Sequence, residues 1–336
     1  MSDRWPLLAP PAPAGLVPGR EPRTSVVIPT YQVSHLLPAA LASLAAQTLL
    51  PDEVLVCDDG APGGVDEAVR PFLDGPLQGR LRVLHLPHRG AGATRNTGTR
   101  ESVGDVVVYL DADDIWLPDR LAALSQTMTW RPDLALVTTD AFILVDGVPT
   151  GPVSRERAFE VDDQRGALLE RNYVFGHAAV RREPMLSCGG FDEHLATSED
   201  WIGWQRLLWS GAGGFGEVPQ VLAEYRRRST SLTGDALGYR RDRVRMLEGF
   251  RRLPLSEPEQ ARLERVLARE RRRWARAAVE AGAVDARGAS RDLVRDVGQP
   301  WRARATGLVG AVAPDLLRRA YGRRSTDRPA RYCRIR

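Results

Sequence analysis

The chain is predicted to fold as an α/β protein: a mixed, mostly parallel sheet flanked by helices, with a helical C-terminal extension. Between Thr24 and Thr129 four short β-branched runs each lead into an amphipathic segment, the strand-helix repeat that builds parallel sheets. Each run also ends on residues suited to binding, and the carboxyl ends of parallel strands are where such sheets gather ligands. Beyond about residue 236 the pattern turns helical and arginine-rich.

The elements follow in order. Residues 1–22 hold Pro6, Pro10, Pro11, Pro13 and Pro18, which sustain neither helix nor central strand, so a disordered leader is expected there. Strands are predicted over Ser25–Pro29, Glu53–Cys57, Leu81–His85 and Val106–Leu110. Helices follow them over Ser34–Ala46, Val65–Leu73, Ala93–Glu101 and Pro118–Thr129. After residue 130 the alternation loosens. Leu134–Thr138 and Phe142–Val145 read as two strands, and Asp146-Gly147 is a turn before Val148. A helix is expected from Ser198 to Gly211, with Glu199 and Asp200 in its first turn, then a last strand over Val221–Tyr225. Three regions result: the leader 1–22, a catalytic domain 23–235 and an arginine-rich helical region 236–336.

Composition narrows the function. At 336 residues, 43% hydrophobic and 27% charged, the chain resembles an ordinary globular protein. Its apolar runs fall short of the roughly 20 residues of a membrane-spanning helix, and the leader lacks a secretion-signal layout, so a cytoplasmic protein is expected. Cys57, Cys188 and Cys333 are far apart and read as reduced bystanders. All 47 basic residues are arginine, which excludes a P-loop GK[ST] motif and Schiff-base lysine chemistry. Residues 1–235 carry 21 Arg against 31 acids, whereas 236–336 carry 26 Arg against 12. The basic region is expected to offer a face to anionic membrane, peripherally and at the inner surface, rather than to nucleic acid; solvated helix surface is the alternative.

Four strand ends carry the chemistry. Val106 to Leu110 runs into Asp111-Ala112-Asp113-Asp114, whose crowded carboxylates repel one another unless a cation or donor-rich ligand sits among them. Hard oxygen ligands suit Mg²⁺ or Mn²⁺. Asp58-Asp59-Gly60 follows the second strand and is by itself equally a turn. Gly90-Ala91-Gly92 lacks the third glycine of a dinucleotide fingerprint and reads as a helix-entry loop. Arg95, just after it, neutralises phosphate or pairs with an acid.

These residues, together with Ser25-Val26-Val27-Ile28-Pro29-Thr30-Tyr31, Leu44-Ala45-Ala46-Gln47-Thr48, Ala93-Thr94-Arg95-Asn96-Thr97-Gly98, Gly189-Gly190-Phe191-Asp192-Glu193 and Ser198-Glu199-Asp200, resemble family 2 glycosyltransferases of the Rossmann-like GT-A fold over residues 24–230. The resemblance implies inverting transfer of a sugar from a nucleotide diphosphate donor to a glycan, glycolipid or small-molecule acceptor, as in polysaccharide and cell-envelope biosynthesis. It implies donor binding by Pro29, Tyr31, Asp59, Arg95, Asp111 and Asp113, with Tyr31 stacking on the base and Asp59 accepting its N–H. It implies Mn²⁺ or Mg²⁺ on Asp113, supported by Asp111, and Asp200 as the catalytic base. Asp114 is expected only to cap or orient the turn.

Glu199, Trp201 and His177 are assigned to the acceptor side. Their bland readings are first-turn acids, a core aromatic and a satisfied core histidine. Where family members often show a histidine after the last strand, Tyr225-Arg226-Arg227-Arg228 stands here, offering Arg226 or Arg228 to the diphosphate. The Gln-x-x-Arg-Trp signature of processive synthases is missing. A sugar-phosphate nucleotidyltransferase and a non-catalytic nucleotide-sugar-binding module are the competing readings.

Overall fold

The computed structural model describes residues 21–195, 197–227, 236–281, 290, 291, 294 and 301–312. Its elements are β1 (Thr24–Thr30), α1 (Leu37–Ala45), β2 (Glu53–Asp58), α2 (Asp66–Val69), β3 (Leu81–His85), α3 (Ala91–Glu101), β4 (Val106–Tyr109), β5 (Ile115–Trp116) and α4 (Arg120–Trp130). They continue with β6 (Leu134–Val145), β7 (Val148–Pro152), α5 (Val153–Glu156), α6 (Gln164–Glu170), β8 (Ala179–Arg181), α7 (Arg182–Ser187), α8 (Glu199–Trp209) and β9 (Gly214–Arg227). Last come α9 (Ala236–Gly249), α10 (Glu257–Glu280) and α11 (Trp301–Val312). The chain forms two compact units, one of residues 1–164, 173–194 and 199–228, the other of 165–172, 195–198 and 229–336. The expected leader, except for residues 21 and 22, lies outside the described residues, as does the expected domain boundary near 235.

The first unit holds a mixed sheet of order β3-β2-β1-β4-β8-β6-β9-β5, with β7 paired to β6. Strands β3, β2, β1 and β4 are parallel, so their carboxyl ends lie along one edge. Strand β8 is antiparallel to both β4 and β6. It therefore enters the sheet from the edge where β4 leaves. The residues just before β8 stand beside those just after β4, and this placement builds the site.

Alternation along β1 and β2 fills two layers. Val26, Ile28, Val54 and Val56 join one apolar cluster with Leu37, Leu41 and Leu44 of α1 and Leu121, Leu124 and Met128 of α4. Val27 and Cys57 point the other way, toward Gly98 of α3, so the strands are covered on both faces.

The two strands expected over 134–145 are one. Thr139 and Asp140 continue the ladder through pairing with Val218 and Val221 of β9, and the register shifts there absorb the extra residues of β9. Thr139 and Asp140 are buried, and the Asp140 carboxylate accepts hydrogen bonds from the N–H groups of Ala141 (2.8 Å) and Ser154 (3.1 Å), so this polar stretch is satisfied in the sheet. The same pairing lengthens the last strand to Gly214–Arg227. Asp146 and Gly147 both have positive φ (48° and 83°), the two-residue turn expected between β6 and β7. Strands β5 and β8 and the short helices α5, α6 and α7 occupy stretches without periodic signal.

In the second unit, α10 opens on a capping box in which the Ser256 N–H donates to Glu259 (2.8 Å). It buries Leu263, Val266, Leu267, Ala275, Ala278 and Val279 on one side. Buried Glu270 is met by Arg269 (3.2 Å), Arg273 (3.0 Å) and Arg243 (3.4 Å). Arg265, Arg273 and Arg276 are exposed.

A Cβ at Gly98 would lie 2.4 Å from Val27 Cγ1 and 2.9 Å from Cys57 Sγ, neither of them on a long, flexible side chain. Gly98→Ala is therefore expected to destabilise the protein by about 2 kcal/mol despite alanine's better helix propensity. Urea unfolding measures this; a variant as stable as wild type would show that α3 shifts freely on β1.

Candidate active site

The nucleoside end of the expected donor site forms where β1 and β2 finish. The Asp59 N–H donates to Thr30 O (2.9 Å), tying the two strand ends together. The buried Asp59 carboxylate accepts hydrogen bonds from the N–H groups of Arg89 (2.8 Å) and Gly90 (3.0 Å), and His88 Nδ1 stands 2.9 Å from it. Asp59 thus shapes the loop that leads into α3, a loop that needs glycine at position 90, where φ is 91°. Tyr31 is exposed and its ring stacks on His88, with centroids 4.0 Å apart and planes 14° from parallel. Pro29 is half-buried on β1. His88, an isolated histidine in the sequence, is the piece that joins Tyr31 to Asp59.

Beyond β4, the fold assembles Asp111, Asp114 and His177, one ligand atom from each lying within 4.8 Å of the others. Antiparallel β8 delivers His177: its buried Nε2 lies 2.9 Å from Asp114 Oδ2 and 3.6 Å from Asp111 Oδ2. The Trp116 indole donates to His177 Nδ1 (3.3 Å). His177, expected on the acceptor side, therefore belongs to the acid cluster. Burial pushes the Asp114 carboxyl up to about 6, against the pull of His177. Burial also opposes charge on His177, but both aspartates raise its proton affinity. Asp114, expected only to orient a turn, is 1% exposed and its Oδ1 accepts the Arg226 N–H (2.7 Å). Arg226 Nε donates to the Asp113 carbonyl, while its Nη2 is buried without a hydrogen-bond partner. Asp113 itself is half-buried beside the cluster. Arg228 lies outside the described residues.

Arg95 links this cluster to α8. Its guanidinium donates to Asp111 Oδ1 (2.6 Å) and Glu199 Oε1 (2.5 Å), with only 11% of the side chain exposed. Burial opposes the Arg95 charge, but Asp111 and Glu199 outweigh it and raise its pKa. Burial likewise disfavours ionised Asp111, yet Arg95 and His177 hold its carboxyl well below the usual carboxylate range. Glu199 is shifted up by burial and by Asp200, with Arg95 opposing.

Asp200 follows Glu199 in the first turn of α8 and accepts the Trp201 N–H (2.7 Å). A Cβ at Gly176 would lie 3.7 Å from Asp200 Oδ2, so the segment before His177 runs beside this carboxylate. Trp201, assigned to the acceptor side, is 1% exposed. It is a core side chain with no ring face for a sugar, because the apolar side of α8 turns it inward beside buried Trp204 and Leu208.

The Gly189–Glu193 loop is latched onto α3. Asn96 donates to Phe191 O (3.0 Å) and Glu193 Oε1 (3.0 Å) and accepts the Phe191 N–H (2.9 Å). Two glycines permit the contact: a Cβ at Gly92 would lie 2.1 Å from Asp192 O, and one at Gly190 would lie 2.3 Å from Asn96 Oδ1. Gly190 also has φ of 61°. Arg206 of α8 donates to Gly190 O (3.0 Å) from the other side.

Two carboxylates and an imidazole suit a divalent transition ion better than an all-oxygen magnesium cage. Buried Asp114 Oδ2, which has no aligned hydrogen-bond donor, is the oxygen that such an ion would satisfy. The residues present thus fit a divalent cation.

Residues 25–189 match the family model described as Glycosyl transferase family 2. Residues 25–189 form a domain of this family. The succinoglycan biosynthesis protein ExoW of Rhizobium meliloti is similar to this chain, with 39% identity over 110 residues, 32% of the chain and 34% of that protein. The Escherichia coli protein WfgD, named UDP-Glc:alpha-D-GlcNAc-diphosphoundecaprenol beta-1,3-glucosyltransferase, is 33% identical over 98 residues, 29% of the chain and 37% of that protein. The chain therefore spans about a third of the length of these relatives. S. aureus TarS, solved in complex with UDP-GlcNAc, shares the fold, with a TM-score of 0.62 at 15% identity over 91% of this chain and 93% of that one.

Replacing Arg95 leaves half-buried Asp111 and buried Glu199 without their shared cation. Arg95→Met in this family 2 domain is expected to lose about 3 kcal/mol at pH 7.5. Asp111 has a depressed pKa, so its contribution is present above the unfolded value near 3.8 and is lost as pH falls through the folded one. In the variant, burial acts on the Asp111 and Glu199 carboxyls without Arg95 and raises both, so they take up protons as pH falls and the deficit should narrow from pH 7.5 toward pH 4. Denaturation at both pH values checks this, and a deficit independent of pH would contradict the electrostatic account.

Proposed function

We propose that this chain transfers a sugar, with inversion, from a nucleoside diphosphate donor to an acceptor hydroxyl. The observation that carries the reading is the convergence of Tyr31, Asp59, Arg95, Asp111 and Asp113 on one sheet edge, with Glu199 and Asp200 at the facing helix start. Pro29, Tyr31 and Asp59 hold the nucleoside, and His88 presents the Tyr31 ring. Arg95 meets the diphosphate. Asp113 is the expected ligand of a divalent ion, with Asp111, Asp114 and His177 as its further ligands. When bound, Mn²⁺ or Mg²⁺ supplies positive charge to a diphosphate leaving group.

Asp200 accepts the proton of the attacking hydroxyl. Arg95 keeps Glu199 engaged, which leaves the neighbouring carboxylate to face the acceptor. The acceptor is a glycan or glycolipid, a reading supported by relatives named for succinoglycan biosynthesis and for transfer to a diphosphoundecaprenol-linked sugar.

The expected peripheral membrane contact rests on α10, whose exposed Arg265, Arg273 and Arg276 complement anionic lipid while its apolar side is buried. No described helix is long and apolar enough to cross a membrane.

Two measurements test these readings. With UDP-, dTDP- and GDP-sugars and a glycan acceptor panel, nucleoside diphosphate release is expected, lowered about 10²- to 10⁴-fold in Asp200→Asn. Wild-type turnover in Asp200→Asn would remove it as the base. Pyrophosphate release would instead indicate nucleotidyl transfer, and binding without turnover a non-catalytic module. Reversing Arg265, Arg273 and Arg276 to Glu should weaken binding of the full chain to phosphatidylglycerol vesicles by at least about tenfold; unchanged binding sinks the membrane role of α10.

A further inference from the structure

Directly under the acid cluster lies a cation that the proposed chemistry does not use. Arg120, the first residue of α4, is fully buried. Its guanidinium donates to Thr139 Oγ1 on β6 and to the His177 carbonyl (2.5 Å), and its Nε has no hydrogen-bond partner. Among the described residues no carboxylate is in ion-pair contact with it. The rings of Trp116 and Phe175 flank it at 5.2 and 5.6 Å. Those two rings also touch the histidine: Trp116 donates to His177 Nδ1 (3.3 Å), and the Phe175 ring centre lies 4.5 Å from the imidazole.

A buried arginine held only by neutral acceptors carries a large desolvation cost, and an apolar residue would pack there without it. The arrangement makes sense for a cation that serves its surroundings. Arg120 grips the backbone of His177, its flanking rings steady the imidazole, and the acid whose field favours its charge is Asp114. We infer that Arg120 is a positioning residue, a buried cation that holds His177 in place beneath Asp111 and Asp114. The guanidinium fork is essential to that task, because it bridges β6 and the residues before β8 with two donors in one plane. The consequence for cation binding rests on the proposed assignment of Asp111, Asp114 and His177 as ligands. The effect on His177 itself does not.

The test uses the full chain and the variants Arg120→Gln, Arg120→Lys and Thr139→Val. Carbethoxylation of His177 by diethyl pyrocarbonate, followed by peptide mass spectrometry without metal or donor, reads its enclosure, with exposed His35 as internal reference. Wild type should protect His177. Arg120→Gln and Arg120→Lys should expose it several-fold and Thr139→Val less, while buried Cys57 stays unreactive and so reports an intact core. Equal protection of His177 in the folded Arg120 variants overturns the inference, and should those variants not fold, equal protection in Thr139→Val does so. Mn²⁺ binding by electron paramagnetic resonance forms the second arm, with about tenfold weakening expected in Arg120→Gln. Loss of Mn²⁺ binding in Asp114→Asn supports the cation reading, whereas no binding by wild type removes that reading and leaves the histidine footprint to decide the role of Arg120.

Discussion

The site depends on Arg95. One guanidinium, nearly enclosed, is divided between Asp111 at the exit of β4 and Glu199 at the start of α8. Burial disfavours charge on both carboxylates, Glu199 buried and Asp111 half-buried, and together they raise the arginine's pKa against its own burial. The clamp sets the distance between the exit of β4 and the helix that carries Asp200. Asn96, one residue on from Arg95, fastens the Gly189–Glu193 loop to α3, the helix that bears the clamp. The loop is thereby fixed on the surface of α3.

Around this clamp the sheet does what a purely parallel sheet cannot. Parallel β1, β2 and β4 deliver Tyr31, Asp59 and Asp111 to one edge, and antiparallel β8 sends His177 back to it. The result is a cluster of opposed charges in a poorly solvated place. Asp111 is kept ionised by arginine, Asp114 is pushed toward neutrality by burial, and His177 lies between them. Such a set differs from a solvated acidic loop because each member is fixed by a second contact: Asp111 by Arg95, Asp114 by Arg226, and His177 by Trp116 and Arg120.

Much of the first half of the fold was legible because its strands are short, β-branched and followed by helices with clear periodicity. Leu81–His85 matches to the residue, and β1, β2 and β4 differ only at their ends. The middle was less so. Thr139-Asp140 reads as a polar break between two strands, yet it is buried strand, because β9 and a backbone N–H from residue 154 satisfy it. Strand β8 has three residues and no alternation, so nothing in its composition announces that it completes the sheet. Trp201 illustrates the opposite difficulty. An aromatic next to an acid reads equally as platform or core, and only the direction of the apolar side of α8 separates the two.

The amino-acid sequence by itself determined the class of the fold, the family and the polar residues at the strand ends, since spacing along a strand and the residue types at its exit are local properties. Only the tertiary structure decided which carboxylates work together. Asp114, His177 and Arg120 span more than 60 residues of chain, and Arg95 and Glu199 more than 100. Their association comes from strand order and from the high cost of leaving any one of these charges buried alone, which no local pattern records.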